Sequence, residues 1–386
     1  MKKILSTFSL VIIALCTIAA QPLKVGLFYG QEFQRATITL VKGSIDVYID
    51  QKLSVQISAG ESFELSYAGS QLRLIKGANA SNGDNIISLV STDQAQFKIQ
   101  PAGLKANGRL YQGNISAVKA PGRLQLINVL HLESYIPGVI EAEGGANHEL
   151  EYYKVQAIIS RTYAVSNLRR HEADGYNVCD ATHCQVYHGM SRHEPLTNKA
   201  TRETEDVVIV DQNIDLITAA FHSNCGGHTN NAEDVWSKPL SYCVGRPDTF
   251  CLVMPHSNWE KSIPTSQWLA YLEKKRYPET DTALSSALAF FPSQKQVYFV
   301  DSTFKIPTKV IRSDFKLKSS YFTVHQMGEN ITFIGQGFGH GVGLCQEGAI
   351  RMAQLGYSHQ DIIHYYYKDV HLIPLRFRWF FKEDVY

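Results

Sequence analysis

Glu141 and Glu143 stand two residues apart in the run Gly138-Val139-Ile140-Glu141-Ala142-Glu143. On an extended segment both side chains point to one side, and two like charges that close raise the pKa of at least one of them. A carboxyl kept protonated near neutral pH is what a general acid for glycosidic cleavage requires. The competing reading is a solvated pair on a loop.

A second constellation is Cys179-Asp180-Ala181-Thr182-His183-Cys184-Gln185-Val186-Tyr187. Cys179, His183 and Cys184 are soft ligands of the kind zinc selects, and the same two cysteines could instead close a small disulfide loop. Residue types alone leave both open. His222, Cys225 and His228 follow in another polar stretch. The third constellation runs from Gly335 to Gly348 with glycines on alternate positions, which fits neither the dinucleotide fingerprint nor the phosphate loop. Alternate glycines allow close backbone approach and leave His340 projecting from a surface of little side-chain bulk. A structural histidine in a glycine-rich turn is the alternative.

The elements that must position these groups are legible in outline. From 21 to 104, alternating runs such as Ala36-Thr37-Ile38-Thr39-Leu40 and Ile45-Asp46-Val47-Tyr48-Ile49 recur between glycine turns, predicting an N-terminal β-rich domain. Residues 105–386 form the second unit. There Leu150, Tyr153, Ala157, Ala164 and Leu168 fall on one face of a helix over 147–168, with Asn147 as its cap. Arg161 stands where that face would carry an apolar residue, so it needs a carboxylate or polar ligand. A short helix over 348–355 stops at Gly356, and Ser358 to Asp361 reads as a capping box. The expected class is α+β, mostly β with a few helices.

Composition narrows the functions. The chain has 386 residues, with 37 Lys+Arg against 36 Asp+Glu and a net charge of +1, so a nucleic-acid partner is not expected. Hydrophobic residues at 44% are enough for a large core. Lys2 and Lys3, the apolar run from Leu5 to Leu15 and the small residues up to Ala20 predict a signal peptide over 1–20, cleaved near Ala20. That run is too short to span a bilayer. The protein is therefore expected to be exported, to the periplasm or cell surface. Six cysteines remain after cleavage, an even number for an oxidising space, so disulfides are expected, with Cys243–Cys251 first among them.

In this order the clusters resemble the SpoIID/LytB domain of the stage II sporulation protein D family of secreted peptidoglycan lytic transglycosylases. The resemblance runs through Asn128, Leu132-Glu133-Ser134-Tyr135, Gly138 to Glu143, Gln156-Ala157, Arg161-Thr162-Tyr163-Ala164, Gln185 to Gly189, Ser223 to Gly227, and Gly339 to Ala349, across about residues 105 to 370. It implies that Glu143 is the essential acid, in a catalytic domain over 105–386 that follows the small N-terminal β domain. Gly144-Gly145 stands where the family has Met-Pro, and Leu344, Cys345 and Glu347 depart from its glycine-rich wall. It also implies glycan strands stripped of stem peptides as substrate, a cell-wall amidase or morphogenetic complex as partner, no cofactor for the chemistry, and a structural zinc near Cys179 to Cys184. Arg161, Tyr163, Gln185, Tyr187 and His340 are the groups expected to line the glycan cleft or orient Glu143. Three rivals stand beside this reading. One is a muramidase with Glu141 or Asp180 as second carboxylate, and another is a thiol peptidase or amidase using Cys225 or Cys345 with His222, His228 or His340. The third is a silent glycan-binding module.

Overall fold

Alternation along Arg35–Lys42 buries Ala36, Ile38 and Leu40 completely and turns the residues between them outward, as a half-buried strand requires. The computed structural model describes residues 22–104, 108–190, 195–300 and 305–381, so the expected signal peptide over 1–20 lies outside the described residues. A seven-stranded sheet runs in the order Val178–Cys179, Leu23–Leu27, Arg123–Leu130, Asn114–Ala120, Ile86–Ser91, Ser44–Ile49, Lys52–Ser58. A six-stranded sheet runs Arg109–Gln112, Gln96–Pro101, Arg35–Lys42, Ser62–Ala68, Gln71–Lys76, Asn79–Gly83. The fold is α+β and mostly β, as the patterning implied.

The unit boundary expected at 104 does not divide the sheets. Asn114–Ala120 pairs with Ile86–Ser91, Leu23–Leu27 lies between Arg123–Leu130 and Val178–Cys179, and one apolar core runs from Leu23 to Val370. Strands complete their hydrogen-bond ladders across the chain, and sequence periodicity carries no record of which partner each takes. A separate module, not foreseen in the sequence, spans 258–336. Its four-stranded sheet orders Asn258–Pro264, Asn330–Gln336, Phe322–Met327 and Ala289–Phe290. Its own core centres on Trp268, whose indole N–H donates to Ala287 O at 3.1 Å while its ring meets Phe299 and Phe333 edge-on. The glycine-rich wall begins where this module ends, at Gly337.

Two helices carry most of the candidate site, α1 (Leu132–Gly144) and α2 (Leu150–Ser166). The segment holding Glu141 and Glu143 is thus helical and not extended. Asn147 does not cap α2: its φ of +63° is left-handed, and Glu149 holds the N-cap position. The Gln346–Gln354 helix and the Ser358/Asp361 capping box form as expected. The expected disulfides do not: all six cysteines are free, and Cys251 Sγ lies 3.4 Å from Cys225 Sγ, with Cys243 outside that group. No helix of the described residues is long and apolar enough to cross a membrane.

Candidate active site

α1 forms in spite of Pro137 and Gly138, because its apolar side is paid back in packing: Tyr135, Ile136, Val139 and Ile140 are all fully buried. Gly138 is required by contact. A Cβ there would lie 2.0 Å from Gly189 O and 2.8 Å from the Tyr187 ring, so α1 rests directly on the segment that follows the Cys179 to Cys184 loop. Glu143 sits in the last turn, where the negative end of the helix disfavours an ionised carboxylate.

Glu143 is held at two points, its carboxylate and its backbone carbonyl. Val186 N–H donates to Glu143 Oε1 at 2.6 Å, and Gln346 Nε2 donates to the Glu143 backbone carbonyl at 3.0 Å. Burial pushes the carboxyl above its ordinary value, and the Val186 amide partly opposes the rise. Like-charge repulsion from Glu141 is not among the causes. At about 100° of rotation per residue, the two side chains leave α1 on nearly opposite faces.

Behind Glu143 the groups expected to form the cleft make a buried polar scaffold. Gln185 is fully buried and accepts from Tyr135 Oη–H at 3.3 Å, while its Nε2 makes no hydrogen bond among the described residues. Tyr187, also fully buried, donates to Asn128 Oδ1 at 3.1 Å and packs on Tyr135 with ring centroids 4.8 Å apart. Asn128 in turn donates to the carbonyls of Gln112 and Asn114, tying the site to the seven-stranded sheet.

Arg161 has the carboxylate its position demanded. Its Nε and Nη2 donate to the two oxygens of Glu133, each at 2.7 Å, and Nη1 donates to Val207 O at 3.0 Å. With no exposed side-chain surface, Arg161 reaches α1 from behind and has none to offer a sugar. Glu133→Gln would leave a buried guanidinium uncompensated, at a cost of about 3–5 kcal/mol. Chemical denaturation should show that loss as a lower midpoint at unchanged slope; an unchanged midpoint would mean that the pair does not hold α1 on α2.

Tyr163 is half-buried beside the Cys184 thiol, where burial and that sulfur push its hydroxyl pKa up. His340 packs its ring against His222 and Trp236, its Nδ1 accepts from Val342 N–H at 3.0 Å, and burial holds its pKa down to about 4. Asp180 cannot serve as a second carboxylate. It accepts from the Phe28 and Tyr29 amides and pairs with Arg109 at 2.7 Å. Cys225 and Cys345, at 1% and 0% exposure, are sealed from any substrate.

Cys179, His183 and Cys184 converge with a fourth group, His171, and one donor atom from each lies within 4.8 Å of the others. The two sulfurs stand 3.8 and 3.7 Å from His183 Nδ1. His171 Nδ1 bonds Asp174 Oδ2 at 2.8 Å, and its buried Nε2 makes no hydrogen bond among the described residues. A ring fixed by a carboxylate on one nitrogen and open on the other is the usual form of a metal-binding histidine. Cys179 and His183 beside Cys184 favour its thiolate. Two cysteines and two histidines on this scale fit a closed tetrahedral zinc site. His171 was missed in the sequence because it stands outside the 179–184 run; the turn after α2 brings it back. Gln346 was missed as a contact of Glu143 because the two are 203 positions apart.

The model of the SpoIID family, described as Stage II sporulation protein, matches residues 120–210, which include α1, α2 and the Cys179 to Cys184 loop. The chain is 30% identical to stage II sporulation protein D of Bacillus amyloliquefaciens over 267 residues, covering 62% of this chain and 73% of that one. It is 28% identical to stage II sporulation protein D of Bacillus subtilis over 258 residues, 63% and 75% of the two chains. The amidase enhancer of Bacillus subtilis is 29% identical over 284 residues, 60% of this chain and 39% of that longer protein.

Proposed function

Since the chain belongs to the stage II sporulation protein D family, we propose that it is a lytic transglycosylase that cuts the bond between N-acetylmuramic acid and N-acetylglucosamine in peptidoglycan glycan strands. The observation that carries this reading is Glu143, which the Val186 amide meets at 2.6 Å and whose carboxyl is raised by burial, with no acid among the described residues contributing to the rise. Hydrolases of the ordinary kind use a second carboxylate at a defined distance to activate water or to form a glycosyl-enzyme. A lyase does not, because the muramyl 6-hydroxyl is the nucleophile.

Protonated Glu143 gives its proton to the glycosidic oxygen as the C1–O bond breaks. The carboxylate so formed takes the proton of the 6-hydroxyl as O6 bonds to C1, which yields the 1,6-anhydro ring and restores the acid. An attacking group within the same sugar has a high effective concentration, and no covalent intermediate with the protein is needed. The Val186 amide stabilises the carboxylate stage, and Gln346 fixes the backbone from which Glu143 projects. The protein's side chains thus orient one acid and keep bulk water from it.

A zinc ion in the His171, Cys179, His183 and Cys184 set would supply structure and no chemistry. The residues present would hold the loop that leads directly into Gln185 and Val186. The proposed setting is outside the cytoplasm, on wall material, and the amidase enhancer among the relatives supports a place beside a cell-wall amidase.

Digestion of purified sacculi, with and without prior amidase treatment, tests this reading. Muropeptides one water lighter than those of a muramidase are expected, with more product after amidase. Products carrying the added water would assign a hydrolase, and binding without any release of fragments would assign a glycan-binding module. The acid limb has a definite sign. Because the reacting form is the protonated one, kcat/KM should fall as pH rises through a value above 4.5, the ordinary glutamate value from which burial displaces Glu143. A profile flat across that range would remove the buried acid from the reaction.

A further inference from the structure

We propose that Cys225, Asp248, Cys251 and Cys345 form a second metal centre, a closed zinc-type site of three thiolates and one carboxylate that fastens the glycine-rich wall to the rest of the protein. One donor atom from each of the four lies within 4.8 Å of the others. Cys225 Sγ is 3.4 Å from Cys251 Sγ and 3.2 Å from Asp248 Oδ2. A tetrahedral ion with sulfur at about 2.3 Å sets sulfur–sulfur edges of about 3.7 Å, so these separations are those of a ligand sphere. Three sulfurs also cannot all be satisfied by one disulfide.

Charge gives a second, independent reason. Asp248 is 0% exposed, and no ion pair to it exists among the described residues. Its oxygens accept from Phe250 N–H at 3.0 Å and from Tyr366 Oη–H at 2.9 Å, and Cys225 supplies the third neighbour. A buried carboxylate packed among thiols is costly unless a cation meets it. The Lys295 ammonium is engaged by the carbonyls of Cys225 and His228. A divalent ion supplies the missing positive charge, and thiolate donors select zinc over magnesium or calcium.

The surroundings are those of an ordered ligand set. Backbone amides of Cys225 and Gly348 point at Cys345 Sγ at 3.2 and 3.4 Å, which stabilises a thiolate. Gly348 leaves room for the cluster, since a Cβ there would lie 2.1 Å from Tyr366 Oη and 2.6 Å from Asp248 Oδ2. The ligands come from three distant segments, and Cys345 immediately precedes Gln346, which bonds the Glu143 backbone. Asn224, beside Cys225, donates to Glu347 Oε2 at 2.6 Å. The site therefore sets where Gln346 stands.

The test is metal counting on the intact chain purified without reductant or chelator, by plasma mass spectrometry, for wild type, Cys184→Ser, Cys251→Ser and the double variant. Cys251→Ser is expected to lose one zinc equivalent, and the double variant one more than Cys184→Ser alone. A Cys251→Ser protein with the wild-type zinc count overturns the proposal. Should that variant fail to fold, differential alkylation of the wild type decides: Cys225, Cys251 and Cys345 should become reactive only after zinc is stripped. Peptide masses showing Cys225 and Cys251 joined by a disulfide, or thiols indifferent to chelation, overturn it as well. None of these readouts depends on glycan cleavage.

Discussion

Glu143→Gln should lower turnover on sacculi by roughly a hundred- to ten-thousand-fold, the usual contribution of a positioned acid–base group, and leave binding of glycan strands largely intact. Gln keeps the volume and an oxygen that Val186 N–H can bond, so the site should stay assembled; only the transferable proton is gone. The same substitution carries a stability signature of fixed sign. A carboxyl whose folded pKa lies above 4.5 is protonated in both states below that value, so burial costs nothing there. As pH rises through the folded pKa, the native state must hold a charge that water solvates better, and stability is lost. Glu143→Gln should therefore be more stable than wild type at neutral pH, with the difference vanishing near pH 4. Retention of anhydro-product by this variant would remove Glu143 from the role. Equal stability at all pH values would mean that its carboxyl is not desolvated.

The other large effect concerns the loop that aims Val186 at Glu143. Structural zinc contributes on the order of 10 kcal/mol in small zinc-folded units, so losing it from the His171, Cys179, His183 and Cys184 set should loosen 171–186 as a whole. His171→Ala is expected to release that metal, lower the thermal midpoint and reduce turnover, because Val186 N–H would no longer be held 2.6 Å from the acid. Asp174→Ala, which removes the carboxylate fixing the His171 ring, should weaken zinc affinity about 10- to 100-fold with a milder loss of stability. Zinc content, melting and turnover measured together separate these outcomes. A His171→Ala protein with full zinc and an unchanged midpoint would dismiss the metal clamp.

Particular residues show where sequence reasoning reached and where it stopped. The strands around Ala36–Leu40 and Ile45–Ile49 were legible because alternation is a local property. Arg161 announced a buried partner, since a guanidinium on an apolar face has few alternatives, yet nothing local named Glu133, 28 positions away. α1 was misread as extended because Pro137, Gly138, Val139 and Ile140 are poor helix formers in sequence, whereas packing on Tyr187 and Gly189 overrides propensity. The even cysteine count argued for disulfides, but five of the six thiols sit in clusters with a histidine or a carboxylate at ligand distances.

Taken alone, the sequence determined the α+β class and the run of site motifs, because residue type and short-range period are written directly in the chain. Glu143 was singled out over Glu141 by what the family resemblance implies. Tertiary structure alone decided that burial and not Glu141 raises the carboxyl of Glu143. It likewise decided that His171 joins the cysteine loop, that Gln346 reaches Glu143, and that 258–336 folds around a core of its own. Each of these depends on contacts between residues far apart in sequence, and such contacts are set by packing and desolvation, which exist only once the chain has closed on itself.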